Sequence, residues 1–126
     1  MTSPYAAASA ADEVLSALAS LQDEPQRVCE LWDRDPSAVH FGSGGHVYRG
    51  AGHIALAVQA GVPGILLHRL DGPEVSIVGD VAWVVSGVGD GETERLTAVL
   101  VRTADGWHVI HIHQSQAAGT GRPGGI

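Results

Sequence analysis

Two imidazoles and a hydroxyl stand at alternate positions near the end of the chain. His111, His113 and Ser115 come soon after the Asp105-Gly106 pair, which predicts a tight hairpin turn. Because successive side chains of a strand alternate between its two faces, all three would share one face with Trp107. A purely structural strand would carry valine or isoleucine at these positions. The pattern therefore predicts a polar-ended pocket with Trp107 at one end.

Histidine is the side chain best suited to move a proton near neutral pH, because its unperturbed pKa is about 6.5. His113 and His111 are therefore the candidates for general acid–base catalysis. The pair could also bind a transition metal, but no cysteine or carboxylate joins it, and we predict function without a metal or another cofactor. The structural alternative, which stays open, is that both rings are hydrogen-bonded residues of a core or pocket.

Other segments supply polar side chains that could act together with these histidines. Arg95, Thr97 and Val99 share one face of the preceding strand, where Arg95 could hold a carboxylate or an enolate oxygen. A surface ion pair of Arg95 with a neighbouring glutamate is an equal alternative. His46 and Tyr48 share a face of an early hairpin, where the tyrosine hydroxyl could polarise a carbonyl group. The candidates for contact with a ligand are Trp32, Phe41, His46, Thr97, Val99, Trp107 and Ser115.

The composition indicates a single globular domain and excludes several classes of function. The chain has 126 residues, of which 44% are hydrophobic, and a formal net charge of −7. An acidic chain disfavours nucleic acids and anionic membranes as partners, since both need clustered basic residues. All seven basic residues are arginine, which excludes Schiff-base chemistry and a P-loop. A single cysteine, together with the lack of a leader pattern or a long apolar run, leads us to expect a cytoplasmic protein.

The elements that would position these residues fall into a helical half and a strand half. The spacing of apolar residues predicts a helix over 9–21 and a second helix that begins near Pro25 and ends before Asp35-Pro36. A short hairpin over 38–48 and a short helix over 53–60 follow. The second half then reads as consecutive strands over 65–70, 74–78, 81–88, 93–103 and the segment after Asp105-Gly106.

This order of elements predicts an α+β fold, a cone-shaped α+β barrel in which N-terminal helices pack on a curved, mainly antiparallel sheet. We expect one domain over 10–117, with a disordered N-terminus over 1–9 and a disordered, glycine-rich tail over 118–126. The strand over 81–88 is apolar on both faces, so both faces need cover, and this favours a homodimer.

The order of elements, together with four short motifs, resembles the SnoaL-like branch of the nuclear transport factor 2-like superfamily. The motifs are Gly79-Asp80-Val81-Ala82-Trp83, Arg95-Leu96-Thr97-Ala98-Val99-Leu100, Asp105-Gly106-Trp107 and His111-Ile112-His113-Gln114-Ser115. The last of them is also similar to the final strand of the association domain of calcium/calmodulin-dependent kinase II. The resemblance implies a cone-shaped pocket, and commonly a dimer formed through the outer face of the sheet.

The chain departs from this family at its first strand. Ketosteroid isomerases and polyketide cyclases of the fold place a carboxylate base there, whereas this chain has Val39-His40-Phe41-Gly42. Alternation puts Val39 and Phe41 on one face, so we expect Phe41 at the position of the acid and His40 on the outer face. An isomerase that uses that carboxylate is therefore disfavoured.

Together these features predict a small-molecule pocket protein that acts as a cofactor-independent acid–base enzyme of the isomerase, cyclase or lyase type. Its substrate would be small, organic and partly apolar, and a role in secondary metabolism would fit. His113 and His111 would move the proton, while Arg95, Tyr48 and Thr97 would hold developing negative charge. One alternative is a non-catalytic ligand-binding or oligomerisation module. A further alternative is an enzyme similar to the iota-class carbonic anhydrases.

Overall fold

The computed structural model describes residues 4–24, 27–32, 37–42, 45–60, 72–87 and 94–116. Within these ranges the chain forms three helices and six strands. The helices are α1 (Pro4–Asp23), α2 (Val28–Leu31) and α3 (Ala51–Gln59). The strands are β1 (Val39–Phe41), β2 (Val47–Arg49), β3 (Glu74–Val78), β4 (Val81–Ser86), β5 (Glu94–Thr103) and β6 (Gly106–Gln116). No helix in these ranges is long and apolar enough to cross a membrane.

The helices pack because their apolar residues recur at helical spacing. In α1 the buried residues Val14, Leu18 and Leu21 lie on one side, as the sequence predicts for a helix over 9–21. The helix begins earlier than predicted, at Pro4, and a proline is tolerated in a first turn because its missing N–H would have no partner there. The buried residues of α3 are Ile54, Ala55 and Ala57.

The six strands form one sheet in the order β2-β1-β6-β5-β4-β3. Neighbouring strands are antiparallel except β1 and β6, which run parallel. Helices that pack on one side of a mainly antiparallel sheet confirm the predicted α+β fold. The strand predicted over 65–70 and the end of the strand predicted over 81–88 lie outside the described residues. The predicted domain limits and the disorder of 118–126 stay predictions.

The helices cover one face of the sheet, here named the inner face, and the opposite face is the outer face. Alternate residues of β4 and β5 are fully buried on the inner face, namely Ala82, Val84, Ala98 and Leu100. The residues between them, such as Trp83 and Val99, pair with each other on the outer face. β4 thus carries apolar residues on both of its faces, as its sequence predicts.

A β-bulge at Ile110 divides β6 into two halves with opposite alternation. Leu100 pairs with Val109, but its chain neighbour Val99 pairs with His111, so Ile110 has no partner on β5. An extra residue in one strand moves every later side chain of that strand to the other face. Before the bulge the odd-numbered residues of β6 therefore face the helices, and after it the even-numbered residues do.

The bulge overturns the prediction that Trp107, His111, His113 and Ser115 share a face. Trp107 precedes the bulge and is buried on the inner face, whereas the other three follow it and lie on the outer face. Simple alternation would have turned Gln114 away from Trp107. In the structure Gln114 is buried on the same inner face as Trp107. His111, His113 and Ser115 therefore do not share one face of β6 with Trp107, as the predicted pocket requires.

The same shift exchanges the expected faces of His40 and Phe41. β1 runs beside the half of β6 that follows the bulge, where Phe41 pairs with His113 and His40 pairs with Ile112. Phe41 therefore lies on the outer face, and His40 lies on the inner face. The prediction of an inner Phe41 and an outer His40 is wrong, because three residues of β1 do not by themselves indicate which face the helices cover.

Candidate functional site

The inner site is the name used here for a group of four polar side chains on the inner face. They are His40 of β1, Tyr48 of β2, Ser86 of β4 and Gln114 of β6. His40 pairs directly with Tyr48, while Ser86 and Gln114 both pair with Leu96 of β5. Because cross-strand partners share a face, the register of the sheet sets these side chains toward the helices.

His40 is the most deeply buried member of the inner site, with 1% of its surface exposed. Neither ring nitrogen forms a hydrogen bond of good geometry with a residue that the structure describes, although the side chain of Gln114 lies close to the ring. Its ring is tilted against the indole of Trp32, with the two ring centroids 6.0 Å apart. A buried polar group without a partner costs on the order of 1–3 kcal/mol, because it has given up its hydrogen bonds to water. A bound molecule could supply the partner.

Burial lowers the pKa of His40 to about 4, because the charged ring would lose its hydration. The polar side chain of Gln114 raises this pKa. The charges of His111 and His113 lower it further. His40 is therefore neutral at pH 7 and presents one N–H donor and one acceptor nitrogen. A neutral imidazole in a dry site can take a proton from a ligand and return it.

Trp32 forms the wall beside His40 and is itself almost fully buried. It follows α2 directly and forms an isolated parallel bridge with Val109, next to the bulge of β6. The Nδ1–H of His108 donates to the carbonyl oxygen of Glu30 over 3.0 Å, which ties α2 to the same stretch of β6. Trp32, predicted from the sequence to contact a ligand, thus lies beside the inner site, and that contact stays a prediction.

Trp107 lies on the inner face in the half of β6 before the bulge. Its indole is buried, and the indole N–H has no hydrogen-bond partner within the described ranges. The guanidinium carbon of Arg102 lies 5.3 Å from the centroid of the Trp107 ring, and Arg102 donates to the carboxylate of Asp80 over 3.1 Å. This stacked cation holds the indole where β5 turns into β6.

Among the predicted catalytic residues, Tyr48 lies on the inner face, whereas His111, His113 and Arg95 lie on the outer face. Tyr48 is half-buried. Its ring centroid lies 6.1 Å from that of His46, which is exposed. The predicted proximity of His46 and Tyr48 is therefore present, at the edge strand of the sheet.

The remaining predicted residues form a group on the outer face around Phe41. The ring centroid of Phe41 lies 5.5 Å from that of His111 and 5.4 Å from that of His113. On β5, Thr97 pairs with His113 and Val99 pairs with His111. The outer-face pair of Arg95 and Ser115 continues the same register, with both residues exposed. In the described part of the chain, no three histidine, cysteine or acidic residues are placed to hold one metal ion.

Three members of the inner site are not among the site residues that the sequence patterns predict: His40, Ser86 and Gln114. Ser86 had a visible signal, since it is a polar residue on the apolar face that Ala82 and Val84 define. Gln114 had none, because the bulge reverses its face without a local mark in the sequence. His40 depends on the same reversal.

The chain is similar in sequence to one family of domains. The family of SnoaL-like domains matches residues 5–119. No curated protein matches the chain.

Several solved structures are similar to the chain in fold. A candidate dehydratase of the NTF2-like family from Streptomyces avermitilis is 21% identical, with a TM-score of 0.67 over 86% of this chain and 96% of its own. A candidate ketosteroid isomerase from Parabacteroides distasonis is 22% identical, with a TM-score of 0.59 over 84% and 83%. The CamKII hub homology domain of Chlamydomonas reinhardtii is 22% identical, with a TM-score of 0.61 over 86% and 98%. These likenesses show the fold. The match to the family of SnoaL-like domains confirms the resemblance predicted from the sequence motifs.

Proposed function

Because the chain belongs to the family of SnoaL-like domains, we propose that it binds a small, partly apolar organic molecule between its helices and the inner face, and that His40 moves a proton on that molecule. The observation that carries the proposal is His40 itself, which is 1% exposed and forms no hydrogen bond of good geometry through either ring nitrogen with a described residue. The proposal keeps the predicted pocket and acid–base chemistry. It moves that chemistry from His111 and His113 to the inner site.

The surroundings of His40 favour an uncharged ligand. Within the described ranges, the buried polar side chains are His40, Ser86 and Gln114, and none of them is charged at neutral pH. A buried anion or cation would need a charged partner to offset its lost hydration. Arg95, predicted to hold a carboxylate, lies on the outer face and cannot supply that partner. The aromatic wall of Trp32 suits an apolar ring or chain.

The proposed step begins when the acceptor nitrogen of His40 takes a proton from an acidified C–H of the ligand. The C–H bond breaks, the N–H bond forms, and the electron pair stays on the ligand as an enolate. The imidazolium and the enolate stabilise each other, so the pKa of His40 rises as the charges develop. Return of the proton to another carbon completes an isomerisation. In an elimination the electron pair of the enolate instead expels a leaving group, which takes the proton from the imidazolium.

Two side chains of the same face could hold the negative charge that develops on the ligand oxygen. Tyr48 carries a hydroxyl donor and pairs with His40 across β1 and β2. Gln114 carries an amide donor and lies close enough to His40 to affect its pKa. Donors already fixed by the fold stabilise a developing anion without reorganisation at the moment of reaction. This assignment keeps the role predicted for Tyr48, and no step in it uses a cofactor.

2-Tetralone is a suitable probe, since it is uncharged, largely apolar and carries acidic C–H groups beside a carbonyl. In D2O the protein should accelerate exchange of these hydrogens for deuterium, followed by proton NMR. His40→Phe should lose the acceleration and should stay folded, because phenylalanine fits an apolar wall. The control His53→Gln, on the exposed side of α3, should exchange at the wild-type rate.

Each part of the proposal can fail separately in this experiment. Equal exchange by His40→Phe and the wild type would remove His40 from the mechanism. Saturable binding of 2-tetralone without exchange would support the alternative of a non-catalytic ligand-binding module. Binding of 2-naphthoate as tight as that of 2-tetralone would contradict the preference for an uncharged ligand.

We further propose that two copies of the chain associate through the outer face. Among the described residues, the large hydrophobic side chains that are exposed on this face are Val47, Val78, Val81 and Trp83. A fifth, Leu56, lies on α3. Exposed apolar residues gathered on one face indicate a surface that a partner covers.

The charges at the two edges of the outer face favour a second copy as that partner. Arg49 lies on the edge strand β2, and Glu74 lies on the opposite edge strand β3. A two-fold axis that runs along the strands at the middle of the sheet would bring the β2 edge of one copy over the β3 edge of the other. The cation of each copy would then lie near the acid of its partner. The same axis would pass close to β5 and β6.

A further inference from the structure

The outer face carries a cluster of titratable rings near its centre, here named the histidine cluster: His111, His113 and Phe41. Phe41 contacts both imidazoles, with centroid distances of 5.5 Å and 5.4 Å. His111 is half-buried and His113 is exposed, so a partner that covered this face would bury both rings further. β6 is one of the two central strands of the sheet, so the cluster lies at the centre of any contact that uses the whole face.

The charged groups around the cluster are cationic. Arg49 of β2 pairs with Val39, and Arg95 of β5 pairs with Ser115, so both arginines share the outer face. His108 of β6, which precedes the bulge, also lies on the outer face, and its ring donates to a backbone carbonyl. The outer-face residues of β1 and β4 are uncharged, and the outer-face acid of the described strands, Glu74, lies on the far edge strand β3.

We propose that the outer face joins two copies of this chain at neutral pH and that protonation of His111 and His113 separates them. The inference rests on the dimer proposed above and concerns its regulation. Around the two-fold axis, the histidine clusters of both copies would lie close together. Protonation would place up to four like charges there, beside the arginines of both copies and without a carboxylate from the described strands next to them.

The direction of the pH effect follows from burial. Burial already lowers the pKa of His111 in the single chain, and the charge of His113 lowers it further. Cover by a second copy would remove both rings from water, which disfavours their charged form. The dimer therefore binds fewer protons than two separate chains, so a fall in pH favours the separate chains. Arginine stays charged throughout and cannot produce the transition.

Sedimentation velocity at pH 7.5, 6.5, 5.8 and 5.2, at constant ionic strength, tests the inference with the full chain. We expect the dissociation constant of the dimer to rise on the order of 100-fold between pH 7.5 and 5.2. The double variant His111→Gln/His113→Gln should keep the pH 7.5 dissociation constant over the whole range, since glutamine does not titrate. The control variant His53→Gln should respond to pH like the wild type. Circular dichroism spectra at each pH should show that the chain does not unfold.

The outcomes separate the inference from the dimer on which it rests. A chain that is monomeric at every pH overturns both. A dimer at pH 7.5 that persists to pH 5.2 leaves the dimer and overturns the role of the histidine cluster. Equal dissociation of the wild type and the double variant at low pH would also overturn the role of the histidine cluster, because another group must then titrate. A dissociation abolished only in the double variant supports the inference.

Discussion

The imidazole of His40 and the indole of Trp32 lie 6.0 Å apart between ring centroids, and both rings are almost completely buried. They belong to neighbouring segments of the chain, and both segments lie beside β6. β1 pairs with β6 after the bulge, and Trp32 bridges to Val109 before it. β6 thereby places a neutral base against an aromatic wall, and this pair is the centre of the proposed site.

The burial of His40 predicts that the folded protein loses stability as the pH falls from about 6.5 toward 4. In this range the unfolded chain binds a proton at His40 and the folded chain does not, because burial lowers the folded pKa to about 4. His40 alone should therefore reduce the free energy of unfolding by about 3 kcal/mol between pH 7 and pH 4. Urea denaturation at several pH values measures this loss.

His40→Phe should lack this component and be at least as stable as the wild type at pH 7, because it removes a buried polar group without a partner in the described ranges. The exposed control His53→Gln should keep the wild-type pH dependence. Equal pH dependence in His40→Phe and the wild type would show that His40 is not a buried neutral group.

Deletion of Ile110 should destabilise the protein by about 4 kcal/mol or more, or prevent folding. Without the bulge residue, the second half of β6 would either turn Ile112 and Gln114 outward or slip in register against β5. The matched control Ile110→Val keeps the extra residue and should cost less than about 1.5 kcal/mol. Thermal melts of both variants compare them. A deletion variant as stable as Ile110→Val would contradict the importance of the bulge.

Trp83→Lys should raise the dissociation constant of the proposed dimer at least about 100-fold, because it places a charge on the apolar part of the outer face. Trp83 is 40% exposed in the single chain, so its monomeric fold should keep nearly the same melting temperature. Leu56→Lys is the matched control, since Leu56 is 64% exposed but lies on α3. Light scattering over a concentration series measures both. Dissociation by Leu56→Lys, with Trp83→Lys still dimeric, would assign the contact to the helical side instead.

Gly50→Ala should destabilise the protein by about 1–2 kcal/mol, because Gly50 has a φ of 82° at the start of α3, a conformation that favours glycine. Gly52→Ala should stabilise it by up to about 1 kcal/mol, since alanine is a better helix former. Both positions have open space around an added Cβ, so steric contact does not cause the expected difference in stability between the two variants. Urea denaturation measures the difference. Equal effects at the two glycines would contradict the assigned φ of Gly50.

Local patterns were sufficient for the order of the described elements and for the alternation within most of them. The spacing of Val14, Leu18 and Leu21 predicts α1, and alternation in β4 predicts Trp83 on the face opposite Val84. These features depend on residues close together in the chain, so their sequence contains the information. The motifs after residue 79 are also sufficient to indicate the family.

Only the tertiary structure decided which side chains face the helices. The bulge at Ile110 becomes visible when β6 is paired with β5, and it turns His111 and His113 outward while Gln114 turns inward. The inward position of His40 follows from the parallel pairing of β1 with the shifted half of β6. Alternation determines which residues share a face, but pairing with distant strands determines which face is buried and where the alternation shifts. The sequence therefore determined the fold class and the family, whereas contacts between distant segments decided the site.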